Sequence, residues 1–98
     1  MSKPIAALTA ADFEPLHGAE FRTAAAGGEL ALKLIQVQRL GSALRAGGAF
    51  SLMFTTPPGP FLPQAIYPLT HSALGTLELF IVPLAPKDGA NRYEVIFT

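Results

Sequence analysis

Few residues in this 98-residue chain could do chemistry. It has no cysteine and two histidines, His17 and His71, so disulfides and thiolate metal sites are excluded. His71 is followed directly by Ser72, the residue types of a base and a nucleophile. That pairing needs an orienting carboxylate and an oxyanion hole, and neighbours on a strand point to opposite faces. The plainer reading is that His71 bonds the turn that Ser72 opens. His17 precedes Gly18 and reads as a helix C-terminal residue, favourably placed against the dipole. Glu78 and Glu94 fall in neighbouring predicted strands and could share acid–base work inside a pocket; the competing reading has them facing water or paired with Arg92 or Lys33. The histidines lack metal-ligand spacing, and neither Gly27-Gly28 nor Gly47-Gly48 has the pattern of a phosphate-binding loop. No catalytic residue, metal site or cofactor is expected, and the chain reads as a non-enzyme.

Composition narrows the remaining classes. Half the residues are hydrophobic and only 14% are charged, against roughly 25% in an average soluble domain, so polar surface is thin. That shortage favours self-association or a standing protein partner. A formal net charge of zero gives no field to attract phosphate backbones or anionic lipid, so neither nucleic acid nor a membrane is an expected partner. The most apolar stretch, residues 77–86, is interrupted by Glu78 and Pro83 and is far shorter than the ~20 residues of a spanning helix. The first sixteen residues lack the apolar run of a signal peptide, and the expected location is cytoplasmic.

The elements that must position these side chains follow from periodicity. Thr9 and Asp12 resemble a capping box, and Leu8, Phe13 and Leu16 share a face, predicting a short helix over residues 10–16 that plugs one end of a β structure. Pro15 keeps it short. From residue 20 the period becomes two. Phe21 and Thr23 define a first strand, Gly27-Gly28 suits a hairpin turn, and residues 29–40 form a long second strand. Its apolar phase switches near Leu34, which calls for a bulge or for burial on both faces. Residues 41–48 read as a loop, and Phe50, Leu52 and Phe54 mark a third strand. Residues 57–63 hold four prolines and form a stiff loop. Residues 64–71 form a fourth strand, with Pro68 at an edge or bulge, and residues 76–84 a fifth. The Asp88-Gly89 turn joins that strand to a sixth over residues 92–98. Six antiparallel strands and one short helix predict an all-β domain over residues 1–98, a small barrel or a two-sheet sandwich, with residues 1–18 as an N-terminal arm.

Met53, Phe80, Val82 and Ile96 are apolar on nominally outer faces and are interface candidates, unless Ile5, Leu8 and Phe13 of the N-terminal arm lie over them. Phe61 and Leu62 are a second candidate, because an apolar tip held among prolines loses little entropy on binding; packing across a barrel mouth is the alternative. A small-molecule site would instead use a barrel mouth lined by Tyr67, His71, Arg92 and Tyr93.

The pattern F-S-L-x-F over residues 50–54, then L-P-Q-x-x-Y-x-L-x-H-x-x-L-G-x-L-E-L-F-x-V-P over residues 62–83, then R-Y-E-x-x-F over residues 92–97, resembles a family of small bacterial proteins of unknown function. The likeness extends over nearly the whole chain, including the initial helix with Phe13 and the later Phe21, and its specific part is residues 62–83. Ala65 and Ile66 stand where the pattern has a small turn-like residue and Thr. The resemblance implies no catalytic residue, and its one hint is toward assembly, in the company of phage-tail-like or secreted-particle components. The leading expectation is a domain working through protein contacts, as a homo-oligomer or as an accessory of a larger assembly.

Overall fold

The computed structural model describes residues 8–25, 28–41, 48–57 and 62–97. Helix α1 (Ala10–Phe13) continues into a 3₁₀ turn, Glu14–Leu16, and six strands follow: β1 (Glu20–Ala25), β2 (Gly28–Gly41), β3 (Ala49–Thr56), β4 (Ala65–His71), β5 (Gly75–Lys87) and β6 (Ala90–Phe97). All pairings are antiparallel, and the order β1-β2-β3-β6-β5-β4 closes on itself as a barrel through Arg22↔Thr70 of β1 and β4. The expected antiparallel barrel with its short helix is therefore present.

Turn chemistry sets the hairpins. Between β5 and β6, Asp88 and Gly89 have φ of 53° and 79°, the two left-handed positions of a type I′ turn, closed by the pair Lys87↔Ala90. Between β4 and β5, His71↔Gly75 encloses three residues, with Gly75 at φ 74°. The pair Ala25↔Gly28 places Gly28 in β2 and leaves positions 26–27, outside the described residues, as the first connection. Most of the expected loop at 41–48 also lies outside them.

The phase switch in β2 is a bulge. The register jumps between Leu34↔Phe54 and Gln36↔Met53, so Ile35 is the extra residue and Val37 returns inward opposite Leu52. A bulge breaks the ladder locally, and the N-terminal segment bonds β2 beside it. Gly18 N–H donates to Leu34 O at 2.7 Å, Leu34 N–H to Ala19 O at 2.9 Å, and the His17 ring bonds Ile35 O through Nε2 at 2.6 Å. His17 is thus a brace for the bulge.

A six-stranded barrel is narrower than the eight-stranded kind whose interior side chains just fill, so its inside must be solid. Phe21, Leu32, Leu34, Phe50, Leu52, Phe54, Leu69, Leu77, Leu79, Ile81, Tyr93 and Val95 occupy it, all buried. Both mouths are stoppered. At the end where β1, β3 and β5 begin, Leu8, Ala10 and Phe13 are buried, and the Phe13 ring lies 5.8 Å from Phe50, 5.8 Å from Phe97 and 6.3 Å from Phe21. Asp12 accepts the Thr9 backbone N–H at 2.9 Å, which starts the helix, and Pro15 turns it into the 3₁₀ step that ends it. Arg39 fastens this stopper with two bonds to Glu14, at 2.9 and 3.1 Å; that hydrogen-bonded carboxylate and its charge raise the pKa of an already cationic guanidinium. The helix therefore sits in the mouth, and Leu8 and Phe13 do not cover the outer wall.

At the opposite end, β3 finishes and β4 begins, three places apart in either direction round the ring. Leu62 is buried there, and its N–H donates to the Tyr93 hydroxyl at 3.1 Å. The Tyr67 hydroxyl donates to Pro63 O at 2.6 Å.

If the Phe13 stopper seals the core, Phe13→Ala removes a fully enclosed ring and should destabilise the fold by roughly 3–5 kcal/mol. Arg39→Ala removes only an exposed, solvent-screened ion pair and should cost far less than the loss of the ring. Urea denaturation of both variants checks the contrast, and equal losses would contradict it.

Candidate functional site

Alternation along the strands divides the predicted site residues into two groups. Tyr93 shares the phase of Val95 and Phe97 and points into the core, where it is fully buried and its hydroxyl is bonded to Leu62. Tyr67 also faces inward, half-buried beside the core, with its hydroxyl bonded to Pro63. His71 lies at the other end of the same strand. Its ring packs 4.9 Å from Phe21, and its Nδ1 accepts the Ala73 N–H at 3.0 Å. An accepting Nδ1 places the proton on Nε2 in the neutral ring. Arg92 is on the outside, with Nε donating to Ala85 O at 3.0 Å across the irregular register between Leu84 and Lys87. The four residues expected to line one mouth are thus spread over two ends, the interior and the outer wall, and each polar group has a structural bond.

The other set does converge, with one correction. Met53, Phe80, Val82 and Ile96 all project from the outer wall of β3, β5 and β6. Leu62 does not join them: it is 1% exposed and belongs to the upper stopper, which is packing across a mouth. Phe61 lies outside the described residues. The wall gains a residue that the sequence reading missed, Ile66 of β4, which pairs with Phe80. Its signal was available, since Ile66 is out of phase with the inward Tyr67 and Leu69.

Register fixes the layout of this wall. Met53↔Glu94 and Val82↔Glu94 form one row, and Thr55↔Arg92 and Leu84↔Arg92 form the next toward the Tyr93 end. One step the other way, Ser51↔Ile96 and Ile66↔Phe80 lie in a row, because continuing the Val82↔Glu94 register brings Phe80 opposite Ile96. Beyond it comes Pro68↔Glu78. Ile66 is 64% exposed, Ile96 52% and Phe80 48%, with Met53, Val82 and Leu84 half-buried around them. Among the described residues neither Glu78 nor Glu94 has an ion-pair partner; the ion pairs present join Arg22 to Glu20 and Glu29 and Arg39 to Glu14. Of the two alternatives for these carboxylates, facing water or pairing with Arg92 or Lys33, the pairing is not made. Glu78 and Glu94 stand on the convex outer wall, in different rows.

No group of three metal-ligating side chains occurs among the described residues. Nor is any helix there long and apolar enough to cross a membrane. Two buried hydroxyls, Thr23 and Thr56, have no hydrogen-bond partner. Each occupies an inward position where Val would match its shape.

The division into core and wall makes a measurable distinction. Tyr93→Phe deletes the acceptor of a buried N–H and should cost roughly 1–3 kcal/mol. Phe80→Ser and Ile66→Ser alter exposed positions and should shift stability by no more than about 0.5 kcal/mol. Chemical denaturation gives both values, and a large loss at Phe80 would mean that its ring is part of the fold's own packing.

No curated protein and no solved structure matches the chain. A family model described as a domain of unknown function, DUF6916, matches residues 8–97, from the buried Leu8 of the stopper to the last residue of β6. The chain therefore belongs to the DUF6916 family.

Proposed function

We propose that this domain is a non-enzymatic contact module whose outer wall binds protein, as a homo-oligomer or as an accessory of a larger assembly. The observation that carries this reading is the cluster of Ile66, Phe80 and Ile96, each about half exposed or more, on strands that are neighbours in the barrel. Single exposed hydrophobic residues are ordinary on any protein, whereas adjacent ones rimmed by charge mark interaction surfaces. A filled interior supports the same reading, because it leaves the outer wall as the surface with binding capacity. Polar side chains of the types used in catalysis support it too: His17, His71, Tyr67 and Tyr93 are each held in a bond that braces a bulge, a turn or a stopper.

Photo-crosslinking in the source cells tests the reading. A photoreactive residue at position 80 should yield a discrete protein adduct, whereas the same residue at position 22, on the outside of β1, should yield none. Equal yields at the two positions, or no adduct at either, would reject the wall as a contact surface.

A further inference from the structure

The charges on this wall are arranged in a way that selects a partner. Along β5 the outward residues run Glu78, Phe80, Val82, Leu84, and along antiparallel β6 they run Ile96, Glu94, Arg92 beside them. An unpaired acid therefore closes one end of an apolar strip. At the other end stands Arg92, opposite Leu84. Six residues of strand separate the Glu78 row from the Arg92 row, about 20 Å. Met53, Ile66, Phe80, Val82 and Ile96 lie between. Glu94 is the one charge inside the strip, two residues from Arg92 on the same face, about 7 Å away along the strand.

We infer, resting on the contact reading above, that the occupant of this wall is a second copy of the chain. A two-fold axis lying in the plane of the wall and running across the strands, between the Phe80 row and the Val82 row, turns the strip end for end. Each Glu78 then meets the Arg92 end of the other copy, and the Phe80–Ile96 row meets the Val82 row. The charged ends of the strip are thus complementary to each other, as an isologous interface requires, while Glu94 of the Val82 row is set against Ile96 of the other copy and stays about 7 Å along the strand from its own Arg92. Same-direction stacking, by contrast, sets Glu78 against Glu78 and Arg92 against Arg92. β5 and β6 face the partner squarely, while β3 and β4 curve away to opposite sides of the ring, so two strands about 4.8 Å apart and about 20 Å long make a small contact and the dimer is weak and concentration-dependent.

Sedimentation velocity over micromolar to millimolar protein tests this. The wild-type chain should dimerise with increasing concentration. Glu78→Lys and Arg92→Glu should each weaken the dimer about tenfold, because each places like charges together at both ends of the interface. An equimolar mixture of the two variants should dimerise within about threefold of wild type, since the introduced lysine then faces the introduced glutamate while the native Arg92 and Glu78 face each other. Unchanged thermal midpoints would show that both variants fold. A wild-type chain that stays monomeric throughout, or a mixture no better than its components, overturns the inference. If position 80 still gives a discrete adduct with another protein in cells, the contact reading stands without it; if that adduct is missing too, both fall.

Discussion

Everything else in this domain depends on filling a narrow barrel and closing both of its mouths. Six strands leave space for side chains and little more, and the open ends would expose the core to water. One end is closed by a helix of a single turn, too short to be stable alone, that persists because Phe13 is enclosed by Phe21, Phe50 and Phe97. At the other, Leu62 is buried and two tyrosine hydroxyls bond the backbone of Leu62 and Pro63. Phe50 and Phe97 lie 4.4 Å apart and nearly parallel, at the mouth where β3 starts and β6 finishes.

Closure also explains why so few side chains are left for chemistry. The β2–β3 ladder is irregular at Ile35, whose carbonyl the His17 ring bonds, while Gly18 and Ala19 extend the β1–β2 pairing to Leu34. The mouth segment needs a fastener, and Glu14 with Arg39 provides one. His71 caps the tight turn into β5. Each of these residues has a job that follows from backbone hydrogen bonding. What the fold does not consume is the outer wall of β3 to β5, where apolar side chains face outward although nothing in the barrel requires them to.

Local features of the chain were legible from its sequence because they arise from local physics. The Asp88-Gly89 turn, the phase slip at Leu34, the limit that Pro15 sets on the helix, and the outward placing of Met53, Phe80, Val82 and Ile96 all follow from two-residue periodicity and turn chemistry. Strand ends were less legible: β5 runs to Lys87 through two prolines, because the hairpin with β6 continues beyond an irregular register. Non-local facts were hidden. Nothing in the spacing of β1 and β4 announces that Arg22 and Thr70 meet, or that β3 and β4 stand on opposite sides of the ring, and it is that separation that pulls Leu62 inward. Tyr93 shares its phase with Val95 and Phe97 and so belongs to the core, while Ile66 alternates with Tyr67 and Leu69 and so belongs to the wall.

The proposed contact surface rests on a barrel that is filled inside and apolar on its β5–β6 wall. Methyl NMR during a titration with a small apolar probe such as benzene tests it most directly. The account predicts shifts at Ile66, Ile96, Val82, Leu84 and Met53, with Leu32, Leu52, Leu69 and Leu77 unmoved. Shifts confined to those four interior leucines would reveal a cavity that admits ligand and would contradict it.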